Sequence, residues 1–169
     1  DGSSPTMTNV TATASGGSDN NHGVYNRDAS SPTMTNVKAT ASEGTNNRGV
    51  YNFYSSPTIQ NSVMSGSGGT DSRGVYNWCS SPMIQNSVIS GSGGTNNYGI
   101  YNLASSGNYR VSVDHSEIKG STNTIWNDSE FTTFVGASRL NGGPVTGTGT
   151  EPCAGVYDES YTFYSSTCP

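Results

Sequence analysis

The chain has 169 residues and a mass of 17.6 kDa, the length of one domain, with only 30% hydrophobic and 11% charged residues and a net charge of −5. The balance is Ser, Thr, Asn and Gly; Gly costs backbone entropy in a helix and the other three compete for its backbone hydrogen bonds, which excludes a long helical bundle. A pI near 4.7 offers no phosphate-neutralising surface for nucleic acid, and no apolar run approaches the roughly 18 residues of a membrane span.

The first periodic segment, PTMTNVTATAS, has the two-residue period of a strand: Met7, Val10, Ala12 and Ala14 are apolar and Thr6, Thr8, Thr11 and Thr13 polar. The alternation slips by one at Asn9, which predicts a corner there. The segment then recurs. SSP begins at Ser3, Ser30, Ser55 and Ser80 and a degenerate SSG at Ser105, while GVY or GIY begins at Gly23, Gly49, Gly74 and Gly99. Two markers advancing together by about 25 residues mean one structural unit restated. One extra residue falls near Arg27 to Ala29, where a loop absorbs it.

In later units the inward columns change together. Val37, Ala39 and Ala41 become Ser62, Met64 and Gly66, then Ser87, Ile89 and Gly91, an exchange between neighbouring positions that keeps interior volume. Its corollary is that Val63 and Val88 point outward. A unit of two or three short strands cannot bury its own apolar face, so neighbouring units must stack and share a core. The fold class is therefore all-β: a parallel β-helix, or β-solenoid, of about six coils of roughly 25 residues. Two Asn columns accompany the stack, Asn9, Asn36, Asn61 and Asn86 at the predicted corner and Asn26, Asn52, Asn77 and Asn102 after GVY. Both are expected to be structural ladders, hydrogen-bonded from coil to coil and tolerant of left-handed backbone.

Beyond Ser105 the repeat degrades. VSVDHSEIKGS places His115 under Asn86 and Ile118 under Ile89, and NTIWND places Ile125 under Ile100 and Trp126 under Tyr101. FTTFVGASRLNGG supplies a sixth coil with Phe134 or Val135, Ala137 and Leu140 facing inward.

These phrases, GVYN and SSPTMTNV above all, resemble the right-handed parallel β-helix repeats of the broad pectate-lyase-like class, as found in bacterial secreted proteins. The resemblance covers residues 1–143. It implies a solenoid domain there and a C-terminal, aromatic cap of the same domain over 144–169. The class includes polysaccharide lyases, hydrolases, tailspikes and adhesins, so its implication for function is broad. Cys153 and Cys168 bracket the terminal segment and are expected to form a disulfide, which supports an extracellular or cell-surface location; Cys79 is left over as a structural thiol. An Asp1 start fits either a processed mature chain or an excised piece of a longer one.

Chemistry-bearing residues are few. Tyr25, Tyr51, Tyr76, Tyr101 and Trp126 each follow an inward Val or Ile and are expected to form an outward stripe with rings about 4.8 Å apart, serving as sheet-stabilising stacking or as a platform for sugar rings. The only acid and base concentration is Asp114, His115 and Glu117, with Asp128 and Glu130 one coil later; strand alternation puts Asp114 and His115 on opposite faces, which makes them weak catalytic candidates. Thr rows in the first two coils resemble an ice-binding surface, but Lys38 interrupts them. No metal-binding motif occurs and no cofactor is expected. The leading expectation is a secreted, non-enzymatic structural, adhesive or self-assembling module whose partner is a second copy stacked end to end; polysaccharide binding or cleavage is the alternative.

Overall fold

The computed structural model describes residues 2–169, and the Asp1 start lies outside them. No helix forms. Strands come in triplets: β1 (Thr6–Thr8), β2 (Thr11–Ala14) and β3 (Asn20–Arg27); β4 (Thr33–Thr35), β5 (Lys38–Ser42) and β6 (Asn46–Phe53); β7 (Thr58–Gln60), β8 (Val63–Ser67) and β9 (Asp71–Trp78). They continue as β10 (Met83–Gln85), β11 (Val88–Ser92) and β12 (Asn96–Leu103); β13 (Tyr109–Asp114), β14 (Glu117–Gly120) and β15 (Asn123–Asn127); β16 (Phe131–Gly136), β17 (Arg139–Gly142) and β18 (Val145–Gly147). Three short strands close the chain: β19 (Cys153–Ala154), β20 (Val156–Tyr157) and β21 (Phe163–Tyr164).

Each member of a triplet pairs in parallel with its counterpart in the next. The first sheet runs β1-β4-β7-β10-β13-β16-β19, the second β2-β5-β8-β11-β14-β17-β20-β21, and the third β3-β6-β9-β12-β15-β18. This is a parallel β-solenoid of six tiers. Equivalent residues in successive tiers are separated by 27, 25, 25, 29 and 22 positions, so the later tiers change length without losing register. β18 completes the sixth tier from within the 144–169 segment. β21 alone is antiparallel, pairing with β20 beside the Cys153–Cys168 disulfide.

The interior is three columns wide. Met34, Ile59 and Ile84 from the first sheet, Met64, Ile89 and Ile118 from the second, and Val50, Val75, Ile100 and Ile125 from the third are all fully buried. Every coil borrows its core from the coils above and below. At the expected volume exchange, Val37 and Ala39 give way to Ser62 and Met64, all buried, while Val63 and Val88 are exposed. The glycine of each GVY or GIY is dictated by the close approach of the second and third sheets: a Cβ on Gly74 would lie 2.5 Å from Ile89 Cγ2 and 2.6 Å from the Ser90 nitrogen.

Asn9, Asn36, Asn61 and Asn86 have φ of 57, 55, 52 and 49°, the left-handed corner expected of them. They are exposed, however, and of this column only Asn36 and Asn9 are hydrogen-bonded to each other, Nδ2 to Oδ1 at 3.1 Å. The expected ladder is therefore a row of corner residues, because the left-handed turn aims the side chain at solvent. A serine does the joining there. Ser62, Ser87, Ser116 and Ser138 each accept a hydrogen bond at Oγ from a backbone N–H of the preceding coil, and each donates to the carbonyl two residues back. The sixth coil also departs from expectation: Val135 and Leu140 are buried, but Ala137 occupies the left-handed corner at φ 43° and is exposed, with Ser138 inside in its place.

Asn26, Asn52, Asn77 and Asn102 do form a buried ladder. Each Nδ2 donates to the next Oδ1, at 2.9, 2.8, 2.7 and 2.6 Å, and Asn127 extends the column as a fifth member. Thr133 Oγ1 joins its end, accepting from Asn102 and donating to Asn127. At the insertion, Asp28 and Ala29 both take positive φ where later coils have one such residue, Tyr54 or Cys79.

Candidate functional site: the aromatic and arginine face of the third sheet

Strand register puts Tyr25, Tyr51, Tyr76, Tyr101 and Trp126 side by side across β3, β6, β9, β12 and β15. Ring centroids are 4.8, 4.8, 5.5 and 4.5 Å apart in that order; all are stacked except Tyr76 and Tyr101, which meet edge to face. The column exists as expected, but it is not uniformly open. Tyr25 is 43% exposed and Tyr76 only 8%.

Two arginines cover the middle of the row. His22, Arg48, Arg73, Tyr98 and Asn123 form a column three residues upstream, and a regular alternation would put them on the opposite face from the tyrosines. The intervening glycine interrupts the alternation, so both columns face outward. The Arg48 guanidinium lies 5.1 Å from the Tyr51 ring and 4.9 Å from Tyr76; that of Arg73 lies 5.2 Å from Tyr76 and 4.6 Å from Tyr101. Such contacts stabilise by about 0.5–2 kcal/mol as the cation loses water. Phe53 and Trp78 continue the face on the other side, their rings 6.5 Å apart.

The two arginines differ in their pairing. Arg73 Nη2 reaches Asp71 Oδ2 at 2.9 Å. Arg48 pairs with no carboxylate among the described residues; its Nη1 donates to Asn20 Oδ1 at 3.0 Å and lies 3.4 Å from His22 Nε2. Burial, and then repulsion by Arg73, lowers the Arg48 pKa, and burial followed by Arg48 lowers that of His22, which favours its neutral imidazole. The Tyr76 phenol is pushed up to about 12, chiefly by burial. Nε of Arg48 and of Arg73 and Nδ1 of His22 are buried without hydrogen-bond partners. The face is thus aromatic, partly desolvated and locally cationic on an acidic protein, an arrangement suited to binding rather than proton transfer.

The acid and base candidates lie elsewhere. Asp114 ends β13 and His115 occupies the left-handed corner at φ 47°, so the two are not on opposite faces: His115 Nδ1 is 3.0 Å from Asp114 Oδ2. The corner breaks the alternation on which their separation rested. Glu117 is tied to Lys119 at 3.1 Å and to Arg139 at 3.4 Å. Asp128 Oδ2 accepts from the Ala104 nitrogen. No group of three or more His, Cys, Asp or Glu side chains able to hold a metal ion occurs among the described residues. Cys153 and Cys168 form the expected disulfide, and Cys79 is a free, buried thiol.

The tyrosine column is legible in the amino-acid sequence, whereas the placement of the arginines over it is not evident there. Arg48 and Arg73 occupy the same position in successive units, immediately before GVY, and that recurrence was the available signal. No protein-family model, curated protein or solved structure matches this chain.

Proposed function

We propose that this chain is an extracellular, non-enzymatic adhesive module whose working surface is the outer face of the third sheet. One observation carries the reading: a row of five aromatic rings is overlaid by arginines, one of which, Arg48, has no carboxylate partner among the described residues. Arg48 packs on the rings and bonds to Asn20, but no carboxylate neutralises its charge, and a partner with flat apolar faces and acceptor groups would engage rings and charge together. The terminal disulfide supports an oxidising, extracellular setting, and among the described residues no helix is long and apolar enough to cross a membrane. The engagement of Glu117 by Lys119 and Arg139 supports a non-catalytic role.

Retention on glycan-coated and protein-coated surfaces tests this. The reading expects retention that falls at least tenfold in a Tyr25→Ser, Tyr51→Ser variant and in Arg48→Gln, with unchanged circular dichroism. Retention indifferent to all three substitutions would refute it. End-to-end self-assembly is a second reading, supported by the outer edges of β1, β2 and β3, which pair with no strand among the described residues. Electron microscopy at high concentration decides it, monomers alone counting against it.

A further inference from the structure

We propose a second binding site, on the outer face of the first sheet, that accepts one neutral sugar residue; the proposal deepens the adhesive reading and rests on it. Two outward columns cross this face. One holds Thr33, Thr58, Met83, Ser112 and Phe134, the other Thr35, Gln60, Gln85, Asp114 and Gly136. In the second and third tiers the two columns hold Thr33 and Thr58, and Thr35 and Gln60. From the fourth tier onward, Ser112 stands between Met83 and Phe134, and Gly136 offers no side chain beside Asp114. The result is a trough of about 260 Å³. Its walls are Met83, 47% exposed, and Phe134, two strand spacings or roughly 9.6 Å apart at the backbone. That is below the usual range of about 300–1,000 Å³ for pockets that hold drug-sized ligands and suits a single ring.

Gln85 and Asp114 are each half engaged and each keep one polar atom without a partner among the described residues. Gln85 accepts at Oε1 from Gln60 at 3.2 Å, leaving its Nε2 as a free donor. Asp114 uses Oδ2 toward His115, leaving Oδ1 as a free acceptor. Ser112 Oγ has no hydrogen-bond partner among the described residues. The Arg110 guanidinium stacks 4.0 Å over the Phe134 ring, which holds its plane against the wall, and it makes no salt bridge.

Charge selects the class of ligand. Arg110 and Asp114 lie toward opposite ends of β13 with Ser112 between them, so a single charge held between them is attracted by one and repelled by the other and gains little. A ring bearing several hydroxyls satisfies both, because a hydroxyl donates to the acceptor-only carboxylate and accepts from the donor-only guanidinium and amide. The apolar walls then take the ring's C–H face.

Calorimetric titration of the full chain tests the site with tetrasaccharides of glucose, mannose and galactose, glucuronate and glucosamine counterparts, and free phenylalanine as a zwitterion. At least one neutral tetrasaccharide is expected to bind in preference to the charged probes. Ser112→Trp, which fills the trough from an outward position, should weaken that binding at least tenfold, and Phe134→Ala gives an independent loss should the tryptophan disturb folding. Thr33→Trp, on the same column but remote from the trough, should leave it unchanged. Absence of neutral-sugar binding, equal or better binding of a charged probe, or indifference to both trough substitutions overturns the proposal. Surface retention that survives Ser112→Trp and Phe134→Ala but is lost on Tyr51→Ser would remove this site while leaving the adhesive face standing; retention indifferent to every variant would remove both.

Discussion

Replacing Asn77 by Ala tests how much of the solenoid's stability resides in its polar interior. Asn77 is fully buried, accepts from Asn52 Nδ2 at 2.8 Å and donates to Asn102 Oδ1 at 2.7 Å. Truncation leaves one donor and one acceptor without their partners, in a site with no direct access to water. At about 1–3 kcal/mol for each orphaned group, the loss is about 2–6 kcal/mol, a large share of a typical stability of about 5–15 kcal/mol. Urea unfolding followed by circular dichroism measures it as a fall in midpoint at constant slope. Asn61→Gly is the matched control: Asn61 is exposed at a left-handed corner that glycine adopts freely, so its midpoint should barely move. The double substitution Asn52→Ala, Asn77→Ala should cost less than the sum of the singles, because the second removes a group the first has already orphaned. A loss below about 1 kcal/mol for Asn77→Ala would show that the ladder contributes little beyond filling space.

Other substitutions and conditions probe the remaining features. Gly74→Ala should destabilise by about 1–3 kcal/mol or more, since its Cβ meets Ile89 Cγ2 at 2.5 Å and the Ser90 backbone at 2.6 Å; the urea midpoint reads it directly. Burial raises the folded-state pKa of Tyr76 from 10.0 to about 12, so the contribution of its neutral phenol is fully present below pH 10 and is lost as pH rises from 10 through 12. Tyr76→Phe should accordingly shift the onset of alkaline unfolding upward, as measured by circular dichroism against pH. Reducing Cys153–Cys168, which closes a separation of 15 residues, should cost about 3 kcal/mol and expose the segment after Thr150 to limited proteolysis, with the solenoid strands remaining protected.

Much of the architecture was legible because repetition is itself structural information. SSP and GVY advance in phase, so β1, β4, β7 and β10 had to be equivalent, and the exchange of Val37 with Ala39 for Ser62 with Met64 identified neighbouring interior positions. The slip at Asn9 marked a corner, the extra residue near Asp28 marked a loop, and Cys153 and Cys168 marked the closed terminal segment. Local chemistry dictates each of these: a two-residue period, a residue tolerant of left-handed backbone, a tolerated insertion, a pair of thiols.

What stayed hidden depended on where a corner or a glycine sends the next side chain. Asn36 and Asn52 are the same residue in equally regular columns, yet one projects into solvent from a left-handed turn and the other is sealed beside Val50. Asp114 and His115 are adjacent in sequence, and only the turn at His115 brings their side chains together. Arg48 and Tyr51 would lie on opposite faces of an uninterrupted strand, but the crowding of Gly49 between two sheets turns both outward and makes a cation-covered aromatic face from what read as a bare tyrosine stripe. The amino-acid sequence by itself determined that this chain stacks on itself, since no single coil can bury its own apolar residues. Only the tertiary structure decided which polar residues are sealed inside and which face a partner, because that choice rests on the backbone path between coils, and neighbouring coils set that path.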